Sequence, residues 1–338
     1  MDWTLSFTWT VAVVTLVLVA SFGGTGLILR FLKKRAILDH PNERSSHSTP
    51  TPKGAGITVI AVVLSAWLGL AWGTPAAGAT AVVSAAALGL AALSWIDDLR
   101  GLNSAWRLLG QGAAVVFVLT SAPAENPFFS GLLPGILDPL AAGLLWLWFI
   151  NLFNFMDGID GIAGVETASI GLGATLVAAT AGLPPAFSVY GLTLFAAALG
   201  FLWWNWHPAQ IFLGDVGSVP LGFLLGWLLL EMAAKGQWAA ALILPLYYLA
   251  DATITLIRRG LRGEKVWQAH REHFYQQGVK RGLSHAQVVG HVLWVNVLLV
   301  VLAVMAAGGL TGVAVAGALA AVFWLLFFLG SGKSSAGA

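Results

Sequence analysis

The chain contains no cysteine. Disulfides, thiolate nucleophiles and cysteine-bound zinc are excluded at once, while the compartment stays open. Charge is nearly as scarce: Asp, Glu, Lys and Arg make up 9% of 338 residues, against roughly 25% in a soluble domain. Net charge is only +2, and no nucleic-acid partner is expected. The chain also lacks a soluble domain, a clear internal repeat and any low-complexity tail beyond its last few residues. What it has is apolar: 58% hydrophobic residues and a mean hydropathy of +0.83. Sixteen tryptophans, among them Trp72, Trp95, Trp203, Trp204, Trp206 and Trp238, stand near expected helix ends, as in an interfacial aromatic belt. The composition is that of an all-α polytopic integral membrane protein, one membrane-embedded domain over 1–338.

A span needs about 20 apolar residues. Eleven such stretches are expected, at 5–30, 56–73, 77–95, 106–122, 138–155, 165–182, 186–204, 217–233, 239–257, 287–307 and 309–329. A ten-span alternative arises at the end, where only a Gly-Gly break separates the last two. The first stretch has no basic residue before it and ends in Arg30, Lys33, Lys34 and Arg35, the reverse of a signal peptide. Lys and Arg then set the topology. Six lie at 30–53, two at 100–107, seven at 258–281 and one at Lys333, while Lys235 alone falls in a loop of the other parity. By the positive-inside rule the N-terminus is expected in the periplasm and the C-terminus in the cytoplasm of a bacterial inner membrane. The expected cytoplasmic loops are 31–55, 96–106, 154–165, 205–217 and 258–286. The acids concentrate there, so the active site is expected on the cytoplasmic face.

Five stretches carry the chemistry. After the apolar run 140–150 come Asn151, Asn154, Asp157 and Asp160, spaced by three. On an α-helix that spacing forms one slowly drifting polar stripe, and carboxylates are too costly in hydrocarbon to lie idle. Asp97 and Asp98 end the third span; adjacent like charges need a cation or a shared proton. Asp215 stands in Gly214-Asp-Val-Gly217-Ser218 at the start of the eighth. It reads equally as a helix N-cap and as a metal ligand beside a phosphate. Phe212, just before it, is a core residue, a lipid-facing one or a platform for a nucleobase. The first loop holds Arg44, His47 and Lys53, suited to an exposed linker near anionic lipid or to clamping phosphates. The last loop holds His270, Arg271 and His273. Without cysteines or a third nearby ligand this is no closed zinc site, and beside Arg258, Arg259, Arg262 and Lys265 it suggests an anion pocket. Asp251 is read as a charge partner of that basic group. Hard oxygen ligands without soft ones select Mg²⁺ or Mn²⁺. Together these features imply phosphoryl chemistry between one soluble and one membrane-bound substrate.

With these residues in view, the chain resembles the polyprenyl-phosphate N-acetylhexosamine-1-phosphate transferases. The resemblance rests on Asp97-Asp98, on Asn-x-x-Asn-x-x-Asp-Gly-x-Asp-Gly at 151–161, on Phe-x-Gly-Asp-x-Gly-Ser at 212–218 and on Pro-Asn-x-Arg-Ser-x-His at 41–47. It covers essentially every expected cytoplasmic loop, in family order. It implies transfer of a sugar-1-phosphate from a UDP-N-acetylhexosamine to undecaprenyl phosphate in the bilayer, with release of UMP, and by family likeness a homodimer. It also implies Mg²⁺ on Asp215 with help from Asp97 or Asp98, and Asp160, Asn154 and Asp157 at the nucleotide end. Phe212 would stack on uracil, and His270, Arg271 and His273 would hold the diphosphate. His-x-x-His at 270–273 departs from the triple-His run of the pentapeptide-translocase branch, and 45–49 lacks that branch's lysine. Both features resemble the O-antigen-initiating branch, so lipid I synthesis ranks second. An ion-coupled transporter and a lipid-phosphate phosphatase are the readings from other classes. The first places its site near the midplane, and the second releases inorganic phosphate.

Overall fold

A computed structural model describes residues 7–41, 49–129, 131–266 and 270–331. The expected phosphate-clamping residues Arg44 and His47 lie outside the described residues.

The long helices are α1 Phe7–Lys34, α2 Gly56–Ala71, α3 Ala77–Arg100, α4 Ser104–Ser121, α5 Leu137–Met156, α6 Ile162–Ala181, α7 Pro185–Asn205 and α8 Asp215–Met232. A wider turn at Ala233–Gln237 leads into α9 Trp238–Ile243, then come α10 Leu246–Leu261, α11 Phe274–Lys280, α12 His285–Ala307 and α13 Thr311–Gly330. The only strands among the described residues are β1 Leu38–Asp39 and β2 Thr51–Pro52, paired antiparallel. Among the described residues, eight stretches are long and apolar enough to cross a membrane; the protein is an all-α polytopic membrane protein.

Each of the eleven expected spans meets helix, but those at 56–73, 106–122 and 239–257 are not among the eight, and three further differences matter. The ninth, 239–257, is not one helix: α9 stops at Ile243 and α10 restarts at Leu246. Pro245 lies in the break, where it has no N–H to donate and its ring crowds the preceding turn. The loop 258–286 contains an unexpected short helix, α11. The polar stripe at 151–160 is only half helical: α5 ends at Met156, so Asn151 and Asn154 lie on the helix while Asp157 is its cap residue and Asp160 sits in the turn beyond. The reason lies in the glycines. A Cβ on Gly158 would fall 2.1 Å from the Tyr275 hydroxyl, and Gly161 has a φ of +82°, a left-handed conformation natural to glycine.

Close helix contacts position the site. At Gly56 and Gly217 the starts of α2 and α8 cross backbone to backbone, for a Cβ on Gly56 would lie 2.2 Å from the Gly217 Cα. Phe212 fastens the same corner: its N–H donates to Pro52 O (2.8 Å), and its carbonyl accepts from Gly54 and Ala55 (3.0 Å each). Deep in the bundle, Asn296 of α12 donates to the fully buried Glu166 of α6 (2.7 Å). At the other end of the bundle Lys235 pairs with Glu125, and Asp138 accepts from the amides of Phe128 and Phe129 (2.9 and 3.0 Å).

Candidate active site

Four chain segments meet around Asp98. Its side chain is 3% exposed and accepts the amides of Asp215 (3.2 Å) and Val216 (2.9 Å) at the start of α8. A carboxylate there satisfies otherwise unpaired N–H groups and meets the positive end of the helix dipole. Lys53, just past β2, reaches Asp98 at 2.7 Å and Asp215 at 3.6 Å. Arg107, one turn into α4, reaches Asp97 at 3.2 Å and Asp215 at 3.6 Å. Asp97 also accepts from the Leu102 amide, closing the α3–α4 turn. The like charges of Asp97, Asp98 and Asp215 are thus interleaved with two cations. Burial opposes the charge of Lys53, but the Asp215 and Asp98 carboxylates overcome it and raise its pKa.

Asp215 differs from its neighbours. Both of its cation contacts are longer than a hydrogen bond, and 23% of its side chain is exposed. Its oxygens keep lone pairs free for a further partner, whereas those of Asp97 and Asp98 are engaged by amides and cations. A hard divalent cation suits this donor set. Of the expected ligands Asp97, Asp98 and Asp215, Asp215 is the one whose oxygens could take a cation.

The acids that left the helical stripe point apart. Asp157 comes under the influence of the central group: packing around its carboxyl, then the charge of Asp215, with Asp98 and Asp160 adding to it and Lys53 opposing, pushes its pKa up to about 7. Asn154 donates to Ser218 (2.8 Å), tying α5 to α8. Asn151 faces elsewhere; its amide is committed to Gln111 of α4 (2.7 Å) and to Leu147 O (2.8 Å). Asp160 turns to two histidines and a backbone amide, at 2.6 Å from His207 Nδ1, 3.3 Å from His285 Nδ1 and 3.1 Å from Ala209 N. Burial would raise its pKa; hydrogen bonds from His285 and His207 outweigh that and lower it.

The histidines of the last loop form a separate shell. His273 is 2% exposed and contacts Asp251 (3.1 Å), which also accepts from the amides of Phe274 (3.0 Å) and Tyr275 (3.2 Å). Asp251 therefore anchors the start of α11; it does not serve the arginine group, whose members Arg259 and Arg262 pair with Glu264 (2.8 and 2.7 Å). The His270 ring lies 4.8 Å from that of His273. Burial, then the charges of His273 and Arg259, lowers its pKa to about 4, so at neutral pH it is an uncharged donor. Arg271 follows it, and its carbonyl accepts from Lys280 (2.6 Å). No hydrogen bond or ion pair joins His270 or His273 to Asp97, Asp98 or Asp215 among the described residues. The bridge is Tyr275, whose hydroxyl donates to Phe155 O (3.1 Å), two residues before Asp157.

Arg107, Asn205, His207 and His285 were not singled out by motif, although each is within reach of residues that were. Asn205 accepts from the Gly161 amide and donates to Ile211 O (2.9 Å each), joining two motifs. Its signal, and that of His207, was position: both lie in the short stretch before Asp215. Arg107 had only the Asn103 cap one turn earlier to mark it, and His285 a Ser284–Gln287 capping box.

An all-helical bundle of apolar helices thus brings paired carboxylates, Lys and Arg together at one end. Residues 80–233 match the family model for glycosyl transferase family 4. The decaprenyl-phosphate N-acetylglucosaminephosphotransferase of Mycolicibacterium smegmatis is 30% identical over 320 residues, covering 83% of this chain and 78% of that one. The probable undecaprenyl-phosphate N-acetylglucosaminyl 1-phosphate transferase of Bacillus subtilis is 29% identical over 278 residues, 78% of this chain and 76% of that one. The chain belongs to this family, the polyprenyl-phosphate N-acetylhexosamine-1-phosphate transferases.

Proposed function

We propose that the protein transfers N-acetylhexosamine-1-phosphate from a UDP-sugar to undecaprenyl phosphate at the cytoplasmic face of a bacterial inner membrane, releasing UMP. N-acetylglucosamine is the first sugar to test, since the names of both relatives carry it. The product would begin a lipid-linked surface glycan of the O-antigen type. The observation that carries this reading is the group Lys53–Asp98–Asp215–Arg107: two fixed cations flank a carboxylate with unfilled lone pairs.

In the reaction a lipid phosphate oxygen attacks the β-phosphorus of the donor in line and UMP leaves. Phosphoryl transfer is served chiefly by positioning and charge neutralisation. Lys53 and Arg107 supply fixed positive charge beside the transferred group. Asp98 positions Lys53 and the first amides of α8, and Asp97 positions Arg107. Mg²⁺ or Mn²⁺, held by Asp215, would supply Lewis-acid neutralisation of the diphosphate oxygens. Asp157, titrating near 7, suits taking up a proton from the acceptor phosphate, whose own second pKa is about 6. Phe212 and Asn154 would lie towards the nucleotide, and the uncharged His270 would donate a hydrogen bond to the diphosphate.

A long apolar acceptor requires an apolar bed. A cavity of about 440 Å³ lies between α5, α8, α9 and α10, lined by Trp146, Phe149, Leu229, Leu242, Pro245 and Leu249 among others. It runs along α5 and α8, whose ends carry Asp157 and Asp215, and Pro245 of the α9–α10 break lines it. We assign it to the polyprenyl tail.

The test is purified protein in detergent with labelled UDP-N-acetylglucosamine and undecaprenyl phosphate. Expected are divalent-cation-dependent UMP release and a lipid-linked sugar, with turnover falling about 10²- to 10⁴-fold in Asp215→Asn. Near-wild-type turnover in that variant rejects the site; release of inorganic phosphate in place of UMP rejects the reaction.

A further inference from the structure

We propose that Asp160, His207 and His285 form a metal site of their own, for a borderline divalent transition ion of the Zn²⁺ class, separate from the carboxylates around Asp215. One ligand atom from each residue lies within 4.8 Å of the other two. Asp160 Oδ2 is 2.6 Å from His207 Nδ1 and 3.3 Å from His285 Nδ1, and the two rings are tilted by 55° at 5.0 Å. Three donor residues brought this close from three parts of the chain are the number an open three-ligand site requires.

Each donor is fixed by its own local structure. Asp160 sits in the tight turn between α5 and α6, whose Gly161 amide is tied to Asn205. His207 follows Asn205 in the loop that leads to α8. His285 opens α12 behind the Ser284–Gln287 capping box, and its side chain is 8% exposed. His207 is 37% exposed, so solvent reaches the cluster from one side and a fourth ligand can come from water.

The donor chemistry separates this site from the other acids. Two imidazoles and one carboxylate favour zinc, nickel or cobalt over magnesium, which prefers oxygen alone. The electrostatics differ too. Asp98 and Asp215 have Lys53 and Arg107 for neutralisation, whereas no Lys or Arg is ion-paired to Asp160 among the described residues. The alternative, in which the histidines only hydrogen-bond Asp160, is an outcome of the experiment.

The experiment uses full-length, tag-free protein in detergent, stripped with chelator and dialysed against micromolar ZnCl₂ with millimolar MgCl₂. Elemental analysis should find about one zinc per chain, undiminished in D215N and in H270Q. The H207Q/H285Q double variant should retain at least about tenfold less, since deleting ligands costs more than the 10- to 100-fold typical of outer-shell changes. X-ray absorption on the wild type should show two imidazoles and oxygen at about 2.0–2.2 Å. Folded wild-type protein without zinc, zinc retained in full by the double variant, zinc lost in H270Q, or a spectrum without imidazole each overturn the proposal. Should the double variant fail to fold, the wild-type stoichiometry and spectrum decide.

Discussion

Asp97, Asp98 and Asp157 have three different fates, and their partners set each one. Asp98 satisfies the first amides of α8 and Asp97 the turn into α4, so both are expected to act through others. Asp98→Asn keeps the shape but loses the charge that holds Lys53; it should lower kcat more than it raises the donor's KM, and Lys53→Met should do the same. Asp157 makes a prediction about pH. Its pKa is raised from 3.8 to about 7, so between those values the folded protein holds a proton that the unfolded chain has lost. Its contribution to stability is complete below 3.8 and is lost as pH rises through about 7. For activity the ionised form is the proton acceptor: a pH–rate profile should show an acid limb at or below about 7 that Asp157→Asn flattens. His270 has the opposite sign. Lowered from 6.5 to about 4, it contributes stability that is complete above 6.5 and lost as pH falls towards 4. Thermal midpoints should therefore drop over that acid window, and drop less in His270→Gln.

Among the elements, contacts without side chains matter as much as those with them. The α2–α8 crossing sets where Lys53 stands relative to Asp215, and it has no room for a methyl group: a Cβ on Gly217 would meet Leu213 Cδ1 at 2.5 Å and Gly56 Cα at 2.7 Å. Gly217→Ala should cost about 1–3 kcal/mol by overpacking and also reduce turnover, measured as thermal stability and UMP release on the same sample. The α6–α12 pair tests the interior. Asn296→Ala deprives Glu166 of its donor inside the bundle and should cost about 1–3 kcal/mol. The double variant Glu166→Leu/Asn296→Ala should recover part of that loss, because a matched apolar pair leaves no polar group unsatisfied. Equal instability of the single and double variants would show that the hydrogen bond is not the source. The break at Pro245 belongs to this scale as well: hydropathy over 239–257 describes one span, and the structure divides it between Ile243 and Leu246, whereas Pro220 is accommodated inside α8.

Across the whole molecule, Asp157 and Asp215 stand at the ends of α5 and α8, whose other turns line the apolar cavity, as the proposed lipid acceptor with a charged head requires. Leu229→Trp should fill the cavity and raise the KM for undecaprenyl phosphate at least several-fold, while leaving the KM for a short-chain polyprenyl phosphate nearly unchanged. A uniform loss on both acceptors would place the tail elsewhere. The same view shows why the last loop was the hardest part to read. His270, Arg271 and His273 were legible as a polar group near anions, but Asp251, from the middle of α10, holds His273 and builds α11. Nothing in the spacing of 251 and 273 announces that contact.

Composition and periodicity determined, without coordinates, that the chain is a helical membrane protein with its acids gathered in alternate loops. Those properties follow from the cost of placing charge and unpaired backbone in hydrocarbon, and that cost acts on every residue locally. Motif spacing likewise brought Asp97, Asp98, Asp157, Asp160 and Asp215 into one hypothesis. Tertiary structure alone decided how they divide: which carboxylates are neutralised by Lys53 and Arg107, which one keeps free lone pairs, and which turns away to His207 and His285. Partners that lie between 10 and 162 residues apart along the chain become neighbours only when the helices pack, and the charge state of a carboxylate depends on those neighbours.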